Sequence, residues 1–216
     1  PTLFWTPCAA HCIDLMLEDI GKLSDFKPRS ESGRRVTTFI YRHGRLLNDM
    51  REKMRGKDLV RPGATRFATA FLTLQSMYQN RDALKSLFVS REWSTSKLAT
   101  TEAGKKVYES VLSTRFWNGV EDLIRVSTPL LIVLRIVDSD ERPAMSELSM
   151  AMNVAKAKIN ESFSNKPRLL QKLMEIIERR WIDQMEVKLY GAALFLNLSK
   201  YFDLKTSDIT YARKQR

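Results

Sequence analysis

Cysteine is almost missing from this chain: Cys8 and Cys12 are the only two in 216 residues. Four residues apart at a predicted helix start, they make a poor framework for a disulfide-stapled secreted scaffold, and a reducing compartment is expected. Glycine (8) and proline (7) are also scarce, which argues against disorder and against an all-β design with many turns. No apolar run reaches membrane-spanning length, since Leu130 to Val137 is interrupted at Arg135, and no membrane partner is expected. What the chain does have is 44% hydrophobic residues, enough at this length to bury a core. It opens at Pro1 rather than Met and is read as a piece of a longer protein, so a targeting peptide cannot be judged.

Positive charge is the second thing present. The net charge is +11, and the stretch from Lys27 to Arg66 holds twelve Lys or Arg against four acids, +8 of that total. Such a cluster raises the local potential and attracts polyanions through phosphate contacts that weaken as salt rises. It is equally the mark of a solvated helix face, and charge alone leaves both readings open.

Apolar spacing predicts helices almost throughout. Ile13, Met16, Leu17 and Ile20 predict one over Ala9–Lys22, closed by Gly21, with Asp14 and Glu18 on the opposite face. Lys27 to Gly33, with Pro28, Ser30, Ser32 and Gly33, reads as a linker and domain boundary. Val36, Phe39, Ile40, Leu46, Leu47 and Met50 make the next stripe, bent at Gly44. After a turn over Val60 to Ala64, Thr65 is placed to N-cap a helix carrying Phe67, Phe71, Leu74 and Tyr78, and Asn80 to cap its continuation. Thr100 or Thr101 starts another helix, and Pro129 is expected to kink or restart the one after it. Leu130 to Val137 reads as centrally packed, Asp138 to Arg142 as a turn, and Pro143 as a first helical position. Met145, Leu148, Met152, Ala155 and Ile159 form a further stripe, followed by a helix pair from Pro167 to Trp181 and from Val187 to Leu198.

Cys8, His11 and Cys12 invite a zinc reading, but a structural zinc site wants four ligands, and the only other histidine is His43. A partly buried histidine at a helix start is the plain alternative. The whole opening, Phe4-Trp5-Thr6-Pro7-Cys8-Ala9-Ala10-His11-Cys12-Ile13-Asp14-Leu15, runs from strand-forming residues through a Cys-x-x-His into a helix. This junction resembles the Cys-x-x-His element of hAT-type transposases, in particular plant transposase-like proteins with an upstream domain of unknown function. A second stretch, Arg61-Pro62-Gly63-Ala64-Thr65-Arg66-Phe67-Ala68-Thr69, resembles the Thr-Arg-Trp element of the same family's helical insertion, with Phe67 in place of tryptophan. Phe116-Trp117, Thr128-Pro129-Leu130, Leu134 to Asp138, Pro143-Ala144-Met145, Arg180-Trp181 and Tyr190 to Asn197 resemble later landmarks of that insertion, in the same order.

The resemblance implies a mainly α fold: residues 1–26 ending a ribonuclease-H-like α/β core as a strand plus a helix, and residues 27–216 forming an all-helical insertion domain. It implies a nuclear, transposon-derived, DNA-binding protein whose Cys8, His11, Arg61, Arg66 and Phe67 lie toward DNA. A guanidinium can clamp phosphate oxygens and an aromatic ring can stack on an unpaired base; the plain alternative puts Phe67 and Phe71 in the core and Arg66 in solvent. The acidic residues that hold magnesium or manganese in an intact parent are expected before Pro1 and after Arg216, so no catalytic residue and no cofactor are assigned here. The chain alone is expected to be inactive, with homo-oligomer formation through a C-terminal segment beyond it. The competing expectation is a helical protein-interaction module of a domesticated transposase without DNA-processing activity.

Overall fold

Apolar spacing is realised as helix almost everywhere it is found. The computed structural model describes residues 6–61, 67–138, 144–185 and 188–197, which form twelve helices with no strand among them. The strand end expected over Leu3–Thr6 falls mostly outside the described residues, and Thr6, Pro7 and Cys8 carry no regular structure. Contacts divide the chain into two compact units, one of residues 17–127 and one of residues 1–16 with 128–216. Two helices, α1 (Ala9–Lys22) and α9 (Thr114–Val137), run from one unit into the other.

In the 17–127 unit, the second half of α1 buries Leu17 and Ile20, and Glu18 pairs with Lys22 one turn on. Gly21 lies inside this helix rather than beyond it, and a Cβ there would stand 3.6 Å from Phe71. The linker expected over Lys27–Gly33 is instead the first half of a helix, α2 (Lys27–Arg42). Pro28 sits in the first turn, where a missing amide breaks no hydrogen bond. Gly33 is buried where a Cβ would overlap Leu74, and its carbonyl accepts from Thr37 Oγ1 at 3.0 Å. Both punctuating residues therefore serve the helix.

His43 turns the chain in an extended conformation, close to the bend expected at Gly44, and α3 (Gly44–Lys53) follows. After it come α4 (Ala68–Gln79) and α5 (Arg81–Phe88). Asn80 does not cap α5 with its side chain; its Nδ2 donates back to Ser76 O at 2.8 Å, closing α4. Three successive hydroxyl caps then start α6 (Arg91–Ser94), α7 (Lys97–Thr100) and α8 (Glu102–Leu112). Ser90, Ser96 and Thr101 accept from the amides of Trp93, Ala99 and Gly104. Their turns bring Trp93 under Phe88 and Phe39, edge to face. Trp117, in the first half of α9, donates Nε1–H to Val111 O at 2.6 Å, satisfying a carbonyl at the end of α8.

Pro129 neither ends nor restarts α9, which runs on to Val137. The helical hydrogen bond that its missing amide cannot donate is the one to the carbonyl of Arg125, an exposed residue. The following segment is less enclosed than its composition suggests: Leu130 and Val133 are buried, but Ile132 is 57% exposed. In this second unit α10 (Met145–Ser162) buries Leu148, Met152, Ala155 and Ile159, with α11 (Pro167–Met185) and α12 (Lys188–Leu196) contributing Leu173, Ile177, Tyr190 and Leu194. Met145, expected in the same stripe, is 41% exposed. The turns expected over 62–64 and 139–142, the Thr65 cap and the Pro143 helix start lie outside the described residues, while Val60 and Arg61 carry no regular structure and Asp138 follows α9.

Candidate nucleic-acid interface

The start of α1 separates its three polar side chains. Cys8 and His11 are exposed, while Cys12, whose amide donates to Cys8 O at 3.0 Å, is buried. Burial pushes the Cys12 thiol up from its ordinary value; Cys8 adds to this and Arg180 opposes it. Tyr190 is pushed up as well, by burial first and then by the two cysteines. Of the three, only Cys8 and His11 can meet a ligand from solvent. No group of three or more His, Cys, Asp or Glu side chains is placed to hold a metal ion among the described residues.

The second candidate region is approached by a pinned segment. Arg51 makes a two-pronged ion pair with Asp58, Nε to Oδ1 at 2.8 Å and Nη2 to Oδ2 at 3.0 Å, which holds the Asp58 carboxyl below its usual range. Tyr41 donates its hydroxyl to Leu59 O at 2.9 Å, and the Val60 amide donates to Ser76 Oγ at 3.2 Å. The exposed Arg61 lays its guanidinium over the Tyr41 ring at 5.3 Å. Arg66 lies outside the described residues. Phe67, at the head of α4, is 45% exposed, whereas Phe71 one turn on is 4% exposed, so the two aromatics part company. Phe71 is core, and Phe67 is partly exposed.

Nine of the eleven described Lys and Arg between Lys27 and Arg61 are exposed. Arg51, one of the two that are half-buried, is the one of the eleven in an ion pair with a described residue. Sequence reasoning counted these charges but did not see how α2 uses them. Arg34, Arg35 and Arg42 line an open cleft of about 580 Å³ against Leu98 of α7 and Thr101 and Ala103 at the start of α8. Their spacing on one helix was a usable signal; the wall opposite was not, because it lies some sixty residues further along the chain.

Comparison with protein-family models, with curated proteins and with solved structures gave no match.

Proposed function

We propose that this chain is a nucleic-acid-binding segment of a nuclear, transposase-derived protein similar to the hAT type. In this reading residues 27–216 are the helical insertion and residues 1–26 the end of a ribonuclease-H-like core. The observation that carries the binding is the exposed basic surface between Lys27 and Arg61, in which Arg51 alone is in an ion pair with a described residue. Backbone phosphates are its natural target, because an excess of positive charge releases condensed counterions wherever it meets them. Phe67 adds a partly exposed aromatic ring, and Cys8 and His11 add two exposed polar groups at the α1 start. Any magnesium or manganese of an intact parent would be held by acidic groups of that parent; of the acids described here, Glu18 pairs with Lys22 and Asp58 with Arg51.

The test is fluorescence anisotropy of labelled 20-nucleotide single strands and duplexes against the whole chain, from 50 to 200 mM salt. Saturable binding whose logarithm falls linearly with the logarithm of salt is expected. Absence of saturable binding at the low-salt end would overturn the reading. A protein-interaction module is favoured instead by Ile132, Val154 and Ile182, each more than half exposed; a stable protein complex from a chain that fails the anisotropy test would support it.

A further inference from the structure

The charge that distinguishes this protein is not spread over a convex surface; part of it is gathered in a concavity. The cleft between α2 and the α7–α8 corner carries Arg34, Arg35 and Arg42 on one wall, with Glu31 as its single acid. All three arginines are exposed, and none is in an ion pair with a described residue. Arg35 and Arg42 are seven residues apart, two helical turns, and share a face over about 10 Å of axis. Thr38, between them, is exposed on the same wall.

The remaining polar groups narrow what the cleft can accept. Thr101 is already engaged, donating to Leu98 O at 2.7 Å and accepting from the Gly104 amide at 3.0 Å, so the α8 cap offers a ligand little. His43 has Nδ1 at 2.7 Å from Phe39 O. A carbonyl only accepts, so Nδ1 carries the proton and Nε2 is the nitrogen left for a ligand. Phe39 is buried, and the far wall is Leu98 and Ala103, so no exposed aromatic face awaits a base. A volume of about 580 Å³ falls in the range of sites for nucleotide-sized groups rather than single ions.

Resting on the nucleic-acid reading above, we propose that this cleft is a phosphodiester seat. A strand's backbone would run along α2, with Arg34 and Arg35 at one end, Arg42 about 10 Å of axis further on, and no base read. At about 3.4 Å of axis per nucleotide, the arginine row spans about three nucleotides.

The experiment compares four forms of the whole chain on a 20-nucleotide single strand: unaltered, Arg34→Gln/Arg35→Gln/Arg42→Gln, Glu31→Gln, and a control outside the Lys27–Arg61 surface, Arg91→Gln/Arg115→Gln/Arg168→Gln. The control removes the same charge from exposed positions that do not line the cleft. Three lost contacts at a salt slope of about −0.7 each should flatten the slope by about 2 and weaken binding about 100-fold at 100 mM salt. Glu31→Gln should tighten binding about 3- to 5-fold, which no folding defect could mimic, and the control should lose less than 10-fold. Equal losses for the cleft and control triples, with unaltered binding intact, would overturn the seat while leaving nucleic-acid binding in place. No binding by the unaltered chain would overturn both. If the cleft triple loses affinity for polyglutamate but keeps its affinity for DNA, the cleft belongs to an acidic protein partner and the proposal falls. Should the triple variant not fold, as judged by far-ultraviolet circular dichroism, the Glu31→Gln result alone decides: unchanged or weaker binding overturns the seat.

Discussion

Replacing Gly104 with alanine sets two opposed effects against each other at the corner that walls the arginine cleft. Alanine is the better helix former by about 1 kcal/mol in a helix interior, so propensity alone predicts a more stable protein. Gly104 lies in the first turn of α8, however, where an added Cβ would overlap the carbonyl oxygen of Leu98 and stand 2.9 Å from Thr101 Oγ1. The first of these is backbone and cannot rotate aside. Relieving it means opening the α7–α8 corner, an overpacking penalty of about 1–3 kcal/mol. Opening the corner also lengthens the bond from Thr101 to the Gly104 amide, a cap worth about 1 kcal/mol. The steric and capping losses outweigh the propensity gain, and a net destabilisation of about 2 kcal/mol is expected. Urea unfolding followed by circular dichroism measures it, with Gly44→Ala as the comparison. A Cβ at Gly44 meets nothing within 4 Å, so that variant should match or exceed the parent. A Gly104→Ala protein as stable as Gly44→Ala would refute the close approach at the corner.

Trp117→Phe should cost about 1–3 kcal/mol in the same assay, because it strands the Val111 carbonyl in a buried setting. A loss below 0.5 kcal/mol, on the order of a surface substitution, would show that water replaces the indole there. The thiols give a pH test. Burial raises the Cys12 thiol above its ordinary 9.0, so the folded form holds that proton longer than the unfolded form. This contribution to stability is complete below pH 9.0 and is lost as the pH rises through the folded value. Cys12→Ala should therefore flatten part of the alkaline fall in stability, and an unchanged profile would remove Cys12 as a contributor. In the native protein a thiol reagent should titrate Cys8 rapidly and Cys12 only after unfolding, following their exposed and buried positions.

Helix existence was legible because it is written in local terms. Ile13, Met16, Leu17 and Ile20 repeat at helical spacing, and all four are fully buried. Thr101 has the hydroxyl a first turn needs, and it caps α8. Each of these signals lies within about one turn of the residue it concerns. The misreadings share the opposite property. Pro28 and Gly33 look like breakers until Leu74 is known to lie against Gly33, forty-one positions away. Asn80 could cap forward or backward, and the backbone chose Ser76. Phe67 and Phe71 are indistinguishable by spacing, yet one is partly exposed and the other buried.

The candidate surface divides in the same way. Composition and position along the chain determined that Lys27 to Arg66 is strongly basic, because charge is a property of residues and needs no fold. Whether those charges neutralise one another, lie over aromatic rings or stand free was decided only by packing. Asp58 claims Arg51, Tyr41 lies under Arg61, and the α7–α8 corner faces Arg34, Arg35 and Arg42 across a cleft. Local sequence fixes the conformation of a helix, since its hydrogen bonds close over four residues. A cleft has two walls, and the free energy that brings them together comes from apolar surface buried between segments far apart in the chain.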